Sequence, residues 1–249
     1  MTLIRGYKPH DNQRAIHSAI NSGTEKYFAL NIGRQFGKTL LGINQLLYWS
    51  INDPGCKIAW ITPVYKQGKK VFAELEKAVA KSGLFEFNKS DLRITGFGSS
   101  IEFFSGERPD NIRGNTFDYM VIDEMAFTRP ELWDEVLSAT VMVKGKKIIF
   151  ISTPKGKNHF HRLCMQPNYD ERYRYIHYTS YDNPMIDARE LDERSDHCRI
   201  TSFVKNTWRN SLTMHPGCFA MFVIASERRR RPIAIMPDLI LDARTITRF

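Results

Sequence analysis

The chain has 249 residues, 42% of them hydrophobic and 12% aromatic, and a formal net charge of +9. That length suits one large domain or two small ones with a real core. No apolar run approaches the ~20 residues a bilayer span requires, and the N-terminus, Met-Thr-Leu-Ile-Arg-Gly-Tyr-Lys-Pro, lacks the apolar centre of a signal peptide. Cys56, Cys164, Cys198 and Cys218 lie far apart without Cys-x-x-Cys spacing. This argues against a zinc site or a disulfide framework and for reduced thiols in an intracellular, soluble protein. The positive charge fits a polyanionic partner without establishing one. It is concentrated at the end: residues 1–193 carry 26 Lys and Arg against 23 Asp and Glu, and residues 194–249 carry 10 against 4.

In chain order, residues 7–20 read as an extended start at Pro9 followed by a short helix, with Ala15, Ile16, Ala19 and Ile20 at helical spacing. An apolar strand, Tyr27 to Leu30, then runs into Asn31-Ile32-Gly33-Arg34-Gln35-Phe36-Gly37-Lys38-Thr39 and a helix over 40–51. Strand, glycine turn and helix N-terminus make a phosphate cradle, in which Lys38 supplies a cation for the β/γ-phosphates and Thr39 a hydroxyl for Mg²⁺. The usual pattern has four residues between its glycines; here three separate Gly33 from Gly37, and the first glycine position falls on Ile32. Gln13, ahead of this loop, offers donor and acceptor together and so suits adenine.

A strand at Lys57–Thr62, stopped by Pro63, precedes an amphipathic helix. Its apolar face holds Val71, Phe72, Leu75, Ala78 and Val79; Lys70, Glu74, Lys77 and Lys81 are opposite. Strand–helix alternation of this kind predicts an α/β fold with a mainly parallel sheet. Residues 94–105 break the pattern and predict an inserted hairpin around Gly96-Phe97-Gly98. Tyr119 to Ile122 reads as a buried parallel strand ending in Asp123-Glu124, at the sheet edge where such folds place their ligands. Asp123 suits Mg²⁺, and Glu124 suits polarising the attacking water. With the glycine loop upstream, the pair predicts an ATPase site. A helix is expected over 131–143, and a buried strand over 147–152 ends in Ser152-Thr153-Pro154, hydroxyls placed to bond the γ-phosphate or its water. Residues 173–179 give another strand. His159 and His161, near Cys164, are expected to be solvated rather than metal-binding.

The ordered set of motifs resembles the ATPase domain of tailed-phage terminase large subunits, the motors that package DNA. The resemblance rests on Tyr7, Pro9 and Gln13; Gly33 to Thr39; Ile61 to Tyr65; Arg113-Gly114; Val121 to Glu124; Ser152 to Pro154; and Tyr181 to Pro184, and covers about residues 5–193. It implies a RecA-like P-loop NTPase core over 1–154, a small lid over 155–193, and ATP with Mg²⁺ as ligands. Gln13 and the loop Gly33, Arg34, Gln35, Phe36, Gly37, Lys38 and Thr39 would bind ATP, and Thr39 and Asp123 would hold the metal. Glu124 would be the catalytic base, with Lys38 and Arg34 stabilising the transferring phosphoryl group. Arg113 would be a finger offered to a neighbouring subunit, and Ser152, Thr153 and Pro154 would couple hydrolysis to movement. The partners implied are double-stranded DNA, the portal protein, the small terminase subunit and further copies of the chain, a pentamer in the family. Location would be the host cytoplasm and, transiently, the prohead portal, with no membrane role.

Members of that family continue into an RNase H-like nuclease domain. Residues 194–249 do not resemble its opening: acidic residues thin out, no period persists, and Arg228 to Arg231 form a basic run. The expectation is an irregular basic tail created by a frameshift near 193–196, with no nuclease activity; a nucleic-acid-binding arm is the rival reading. Asp238 and Asp242 are not expected to bind metal. Alternatives for the whole are an inert remnant that binds ATP without packaging, a helicase-like translocase, and a small P-loop kinase.

Overall fold

A computed structural model describes residues 7–187 together with Arg189 and Leu191, all within one compact unit. The expectations for the tail, including its basic run, Asp238 and Asp242, lie outside the described residues. Eight strands form one sheet in the order β3-β4-β5-β2-β6-β7-β1-β8. The strands are β1 (Tyr27–Ile32), β2 (Lys57–Thr62), β3 (Glu86–Asn88), β4 (Arg93–Gly96), β5 (Ser99–Ser105), β6 (Tyr119–Ile122), β7 (Lys147–Ser152) and β8 (Tyr173–Tyr178). From β5 to β8 every neighbouring pair is parallel, whereas β3 and β4 are antiparallel additions at one edge.

The central strands β1, β2, β6 and β7 carry continuous apolar runs because both faces are covered. On one face Phe28, Leu30, Ile58, Trp60, Val121, Ile149 and Ile151 meet the helices α1 (Asp11–Ser22), α2 (Lys38–Asn52) and α3 (Tyr65–Val79). The intervening residues, Ala29, Ala59, Ile61, Met120, Ile122, Ile148 and Phe150, face a second core. That core is closed by the segment 132–141 and by α5 (His159–Met165). The period-2 alternation of strands thus divides one apolar run between two layers.

Two expectations need correction. The hairpin at 94–105 is no insertion, since β5 pairs in parallel with β2 and belongs to the main sheet. The helix expected over 131–143 is a π-helical turn, Leu132–Leu137, followed by a short α4 (Ser138–Thr140). The wider turn puts Leu132, Trp133, Val136 and Leu137 on the sheet side, where Trp133 meets Phe150 edge-on at 4.6 Å. The described part of the segment 155–193, expected as a small lid, packs against the main sheet. Its strand β8 is hydrogen-bonded along β1, and Phe160, Leu163 and Cys164 of α5 lie in the second core. Among the described residues no helix is long and apolar enough to cross a membrane.

Packing of α2 on the sheet is close enough to require a glycine. A Cβ on Gly42 would stand 2.6 Å from the ring of Trp60, which is fully buried. Alanine is the better helix former by roughly 1 kcal/mol, but overpacking costs about 1–3 kcal/mol. Gly42→Ala should therefore lower the urea midpoint; an unchanged or raised midpoint would contradict this packing.

Candidate active site

The C-terminal ends of β1, β7 and β6, adjacent in the sheet, bring the glycine loop, Ser152 and the acidic pair to one edge. The loop leaves β1 after Ile32 and enters α2 at Lys38. It turns through left-handed conformations at Gln35 (φ 59°) and Gly37 (φ 90°). Gly33 must be a glycine, because a Cβ there would lie 2.4 Å from the backbone nitrogen of Ser180. Phe36 anchors the turn from below: it is fully buried, stacks on Tyr178 at 5.3 Å and meets His10 edge-on at 4.8 Å.

Each carbonyl from Gly33 to Phe36 accepts a hydrogen bond from a side chain. Lys38 Nζ donates to Gly33 (3.0 Å), Ser180 Oγ to Arg34 (2.8 Å), Asn183 Nδ2 to Gln35 (2.7 Å) and Gln13 Nε2 to Phe36 (3.2 Å). The Gly33 N–H in turn donates to the Tyr178 carbonyl at 2.8 Å. Carbonyl oxygens repel a phosphate, so tying them to protein donors both stiffens the loop and leaves its approach less negative. The turn that supplies Ser180 and Asn183 is itself held, as Asp182 accepts from the Thr179 N–H and hydroxyl and Asn12 donates to the Asp182 carbonyl at 2.7 Å.

Two residues make contacts within the chain that their expected roles do not include. Gln13, expected on adenine, is buried, and its amide is engaged: Nε2 braces Phe36, while Oε1 accepts from the His10 N–H at 3.3 Å in the capping box that starts α1. Ser152 is fully buried, and its Oγ accepts from the Ala126 N–H at 3.1 Å, so it grips the turn after the acidic pair. Thr153 and Pro154 are partly exposed beyond it.

Asp123 is 7% exposed and accepts from the Glu124 N–H at 3.0 Å. Burial, with the adjacent Glu124 charge, pushes its carboxyl up to about 7, against the opposing pull of that N–H and of Lys38. Glu124 is left-handed (φ 51°, ψ 43°), and its Oε2 is buried without a hydrogen-bond partner among the described residues. Burial pushes the Lys38 ammonium down, while Glu124 and Asp123 oppose that shift and Arg34 adds to it. Lys38 thus lies within electrostatic reach of both carboxylates, which joins two stretches 85 positions apart in sequence. Arg34 is exposed on the loop. Arg113 is not part of this cluster. It is exposed in the connection from β5 back to the start of β6 and pairs with Asp110 at 3.3 Å.

The donor chemistry fits a hard cation. The Thr39 hydroxyl and the Asp123 carboxylate are oxygen ligands of the kind Mg²⁺ takes, and the buried, unpaired Glu124 oxygen beside them suits a bound water. No group of three or more His, Cys, Asp or Glu suited to a metal occurs among the described residues. Of the braces, Gln13 and Asn183 stand in motifs that the sequence singles out, though not for this bracing, and Ser180 escapes sequence reasoning. Only the Asn-Pro pair at 183–184 hints at a fixed turn.

Comparison with known proteins agrees with this geometry. The family described as terminase large subunit, T4likevirus-type, N-terminal, matches residues 29–205. The large terminase subunit of Thermus phage G20c is 29% identical over 183 residues, covering 65% of this chain and 37% of that protein. The counterpart from Escherichia phage T5 is 25% identical over 199 residues, covering 76% and 44%. The chain thus spans well under half the length of these curated relatives. Among solved structures, the large terminase ATPase domain of Thermus phage P74-26 superposes with a TM-score of 0.66 at 26% identity, covering 80% of this chain and 90% of that one. The HK97 large terminase shares the fold at 15% identity, with a TM-score of 0.64 over 82% of this chain and 50% of that one.

The Asp123 environment predicts a pH effect. Its folded value of about 7 lies above the ordinary 3.8, so the native chain holds a proton that the unfolded chain releases. Stability from this group is present below about pH 4 and is lost as pH rises toward 7. In EDTA, Asp123→Asn should melt closest to the parent near pH 4 and clearly above it near pH 8. Equal melting differences at both pH values would show that the carboxyl is not buried beside a second charge.

Proposed function

The chain belongs to the terminase large-subunit family, and we propose that its described unit hydrolyses ATP to drive double-stranded phage DNA into a prohead. The observation that carries this reading is that the adjacent parallel strands β6, β7 and β1 bring the Asp123-Glu124 pair and the glycine loop with Lys38 to one edge of the sheet, where both carboxylates favour the charged Lys38 ammonium. In this reading the loop Gly33 to Thr39 cradles the triphosphate, with Lys38 leaving the Gly33 carbonyl for the β/γ-phosphates. Thr39 and Asp123 hold Mg²⁺, whose charge would offset the negative charge that gathers on the phosphates. Glu124, with its free carboxylate oxygen, orients the attacking water and takes its proton. Arg34, exposed on the loop and close enough to act on Lys38, adds positive charge at the transferring group.

Ser152, Thr153 and Pro154 pass the change at the phosphate to the rest of the chain, and the bond from Ser152 to the turn after Glu124 supports that role. Arg113, exposed and outside its own subunit's site, serves a neighbouring copy, so activity needs a homo-oligomer, with a pentamer expected. Gln13 acts on the nucleotide through the loop it braces. The portal protein and the small terminase subunit are the expected partners, in the host cytoplasm and transiently at the prohead.

The test is ATP turnover with and without double-stranded DNA, alongside nucleotide binding. The parent should turn over ATP and be stimulated by DNA. Glu124→Gln should keep nucleotide binding and lose turnover by about 10²–10⁴-fold, and Lys38→Ala should lose binding itself. Turnover surviving in Glu124→Gln removes that residue from its role. Nucleotide binding without turnover in the parent would favour the inert-remnant alternative.

A further inference from the structure

The turn that follows the acidic pair is gripped from outside at several points, and the grip comes from a single short segment. Met125–Phe127 form one 3-10 turn directly after the left-handed Glu124. Ser152 Oγ accepts the Ala126 N–H at 3.1 Å, and Asn158 Nδ2 donates to the Ala126 carbonyl at 3.2 Å. His159 Nε2 lies 2.7 Å from the Met125 carbonyl and 3.2 Å from Thr128 Oγ1. The Lys155 ammonium sits 4.5 Å from the centre of the Phe127 ring. Residues 152–159 therefore bracket the turn from both ends of one loop.

The chemistry of these contacts leaves little freedom. A carbonyl only accepts, so His159 must carry its proton on Nε2 to bond Met125. Asn158 uses both ends of its amide: Oδ1 accepts the His161 N–H at 3.1 Å as the cap of α5, while Nδ2 holds Ala126. A left-handed non-glycine residue costs ~1–2 kcal/mol and persists only where its surroundings over-determine it. Glu124 gains no such support from its own side chain, whose Oε2 has no hydrogen-bond partner among the described residues. The support comes through the backbone that follows it.

We infer that Asn158 and His159 are positioning residues for Glu124: by fixing the turn 125–128 they set the direction of its carboxylate, and they do so from the far end of the segment that begins at Ser152. The inference rests on the hydrolase reading above for its catalytic half, while the mechanical half stands on the contacts alone. A displacement of Thr153 or Pro154 on a change at the phosphate would reach Glu124 through the same clamp.

The test uses the full chain with Asn158→Ala, His159→Ala and His159→Gln, the last retaining an amide donor. Two readouts are taken, amide hydrogen exchange at residues 124–128 and the split of ATP turnover into kcat and KM. Both alanine variants should exchange faster at 124–128 while β6 and the glycine loop keep their protection. They should lose about ten- to a hundredfold in kcat, as sub-ångström to 1 Å misplacement does, with KM unchanged. His159→Gln should restore most of both. Unchanged exchange at 124–128 in both alanine variants overturns the clamp, and a raised KM at parental kcat overturns the positioning role. If even the parent lacks turnover, the hydrolase reading and the catalytic half fail together, and the exchange readout still decides the clamp. If an alanine variant does not fold, His159→Gln against the parent carries the comparison: altered exchange with parental kcat overturns the role.

Discussion

Two neighbouring carboxylates held in a poorly solvated sheet edge opposite one ammonium are the constraint on which this molecule turns. Burial makes the arrangement costly for the free protein, which is why the Asp123 carboxyl is pushed up to about 7 and the Lys38 ammonium is pushed down. Among the described residues neither acid has a salt-bridge partner that would remove its charge from use. A backbone N–H and the field of Lys38 support Asp123. A site arranged in this way is prepared for a cation and a polyanion arriving together, since a metal would satisfy Asp123 and phosphates would satisfy Lys38.

That arrangement needs a rigid frame, and the frame is assembled from segments far apart in the chain. Residue 13 in the first helix and residues 180 and 183 after the last strand all bond carbonyls of the same glycine loop. Phe36 pins the loop to the core beneath it. The edge strand β8 carries the bracing turn to its place by pairing along β1, so the sheet itself holds the loop. On the other side, the turn after Glu124 is tied to the end of β7 and the start of α5. Loop and acids are thus each fixed by contacts that pass through β7, β8 or α5, and a change in one is felt by the others through short, direct paths.

Much of this is written in local pattern. Runs such as Ile148 to Ile151 announce strands covered on both faces, and Val71, Phe72, Leu75 and Val79 announce the helix that covers one of them. The glycine turn and the Asp-Glu pair carry their chemistry in adjacent residues, so they can be read without knowing the fold. What local pattern could not convey depends on distant partners. Gln13 has donor and acceptor groups suited equally to adenine and to a carbonyl, and only the position of Phe36 decides between them. His159 reads as a solvated histidine until α5 is placed against the turn after Glu124. The π-helical turn at 132–137 reads as an ordinary helix, because the choice of register is made by the fit of Trp133 against Phe150 and Tyr27. The short edge strand β3, Glu86–Asn88, has no apolar run at all and exists because β4 offers it an edge.

The most direct measurement is an experimental structure of the full chain with Mg²⁺ and a slowly hydrolysed ATP analogue. The account predicts that Lys38 Nζ exchanges the Gly33 carbonyl for the β/γ-phosphates, that Thr39 and Asp123 share one magnesium ion, and that the Glu124 carboxylate faces a water in line with the terminal phosphate. A nucleotide bound away from this edge, or a Lys38 still on Gly33 with the triphosphate in place, would contradict it.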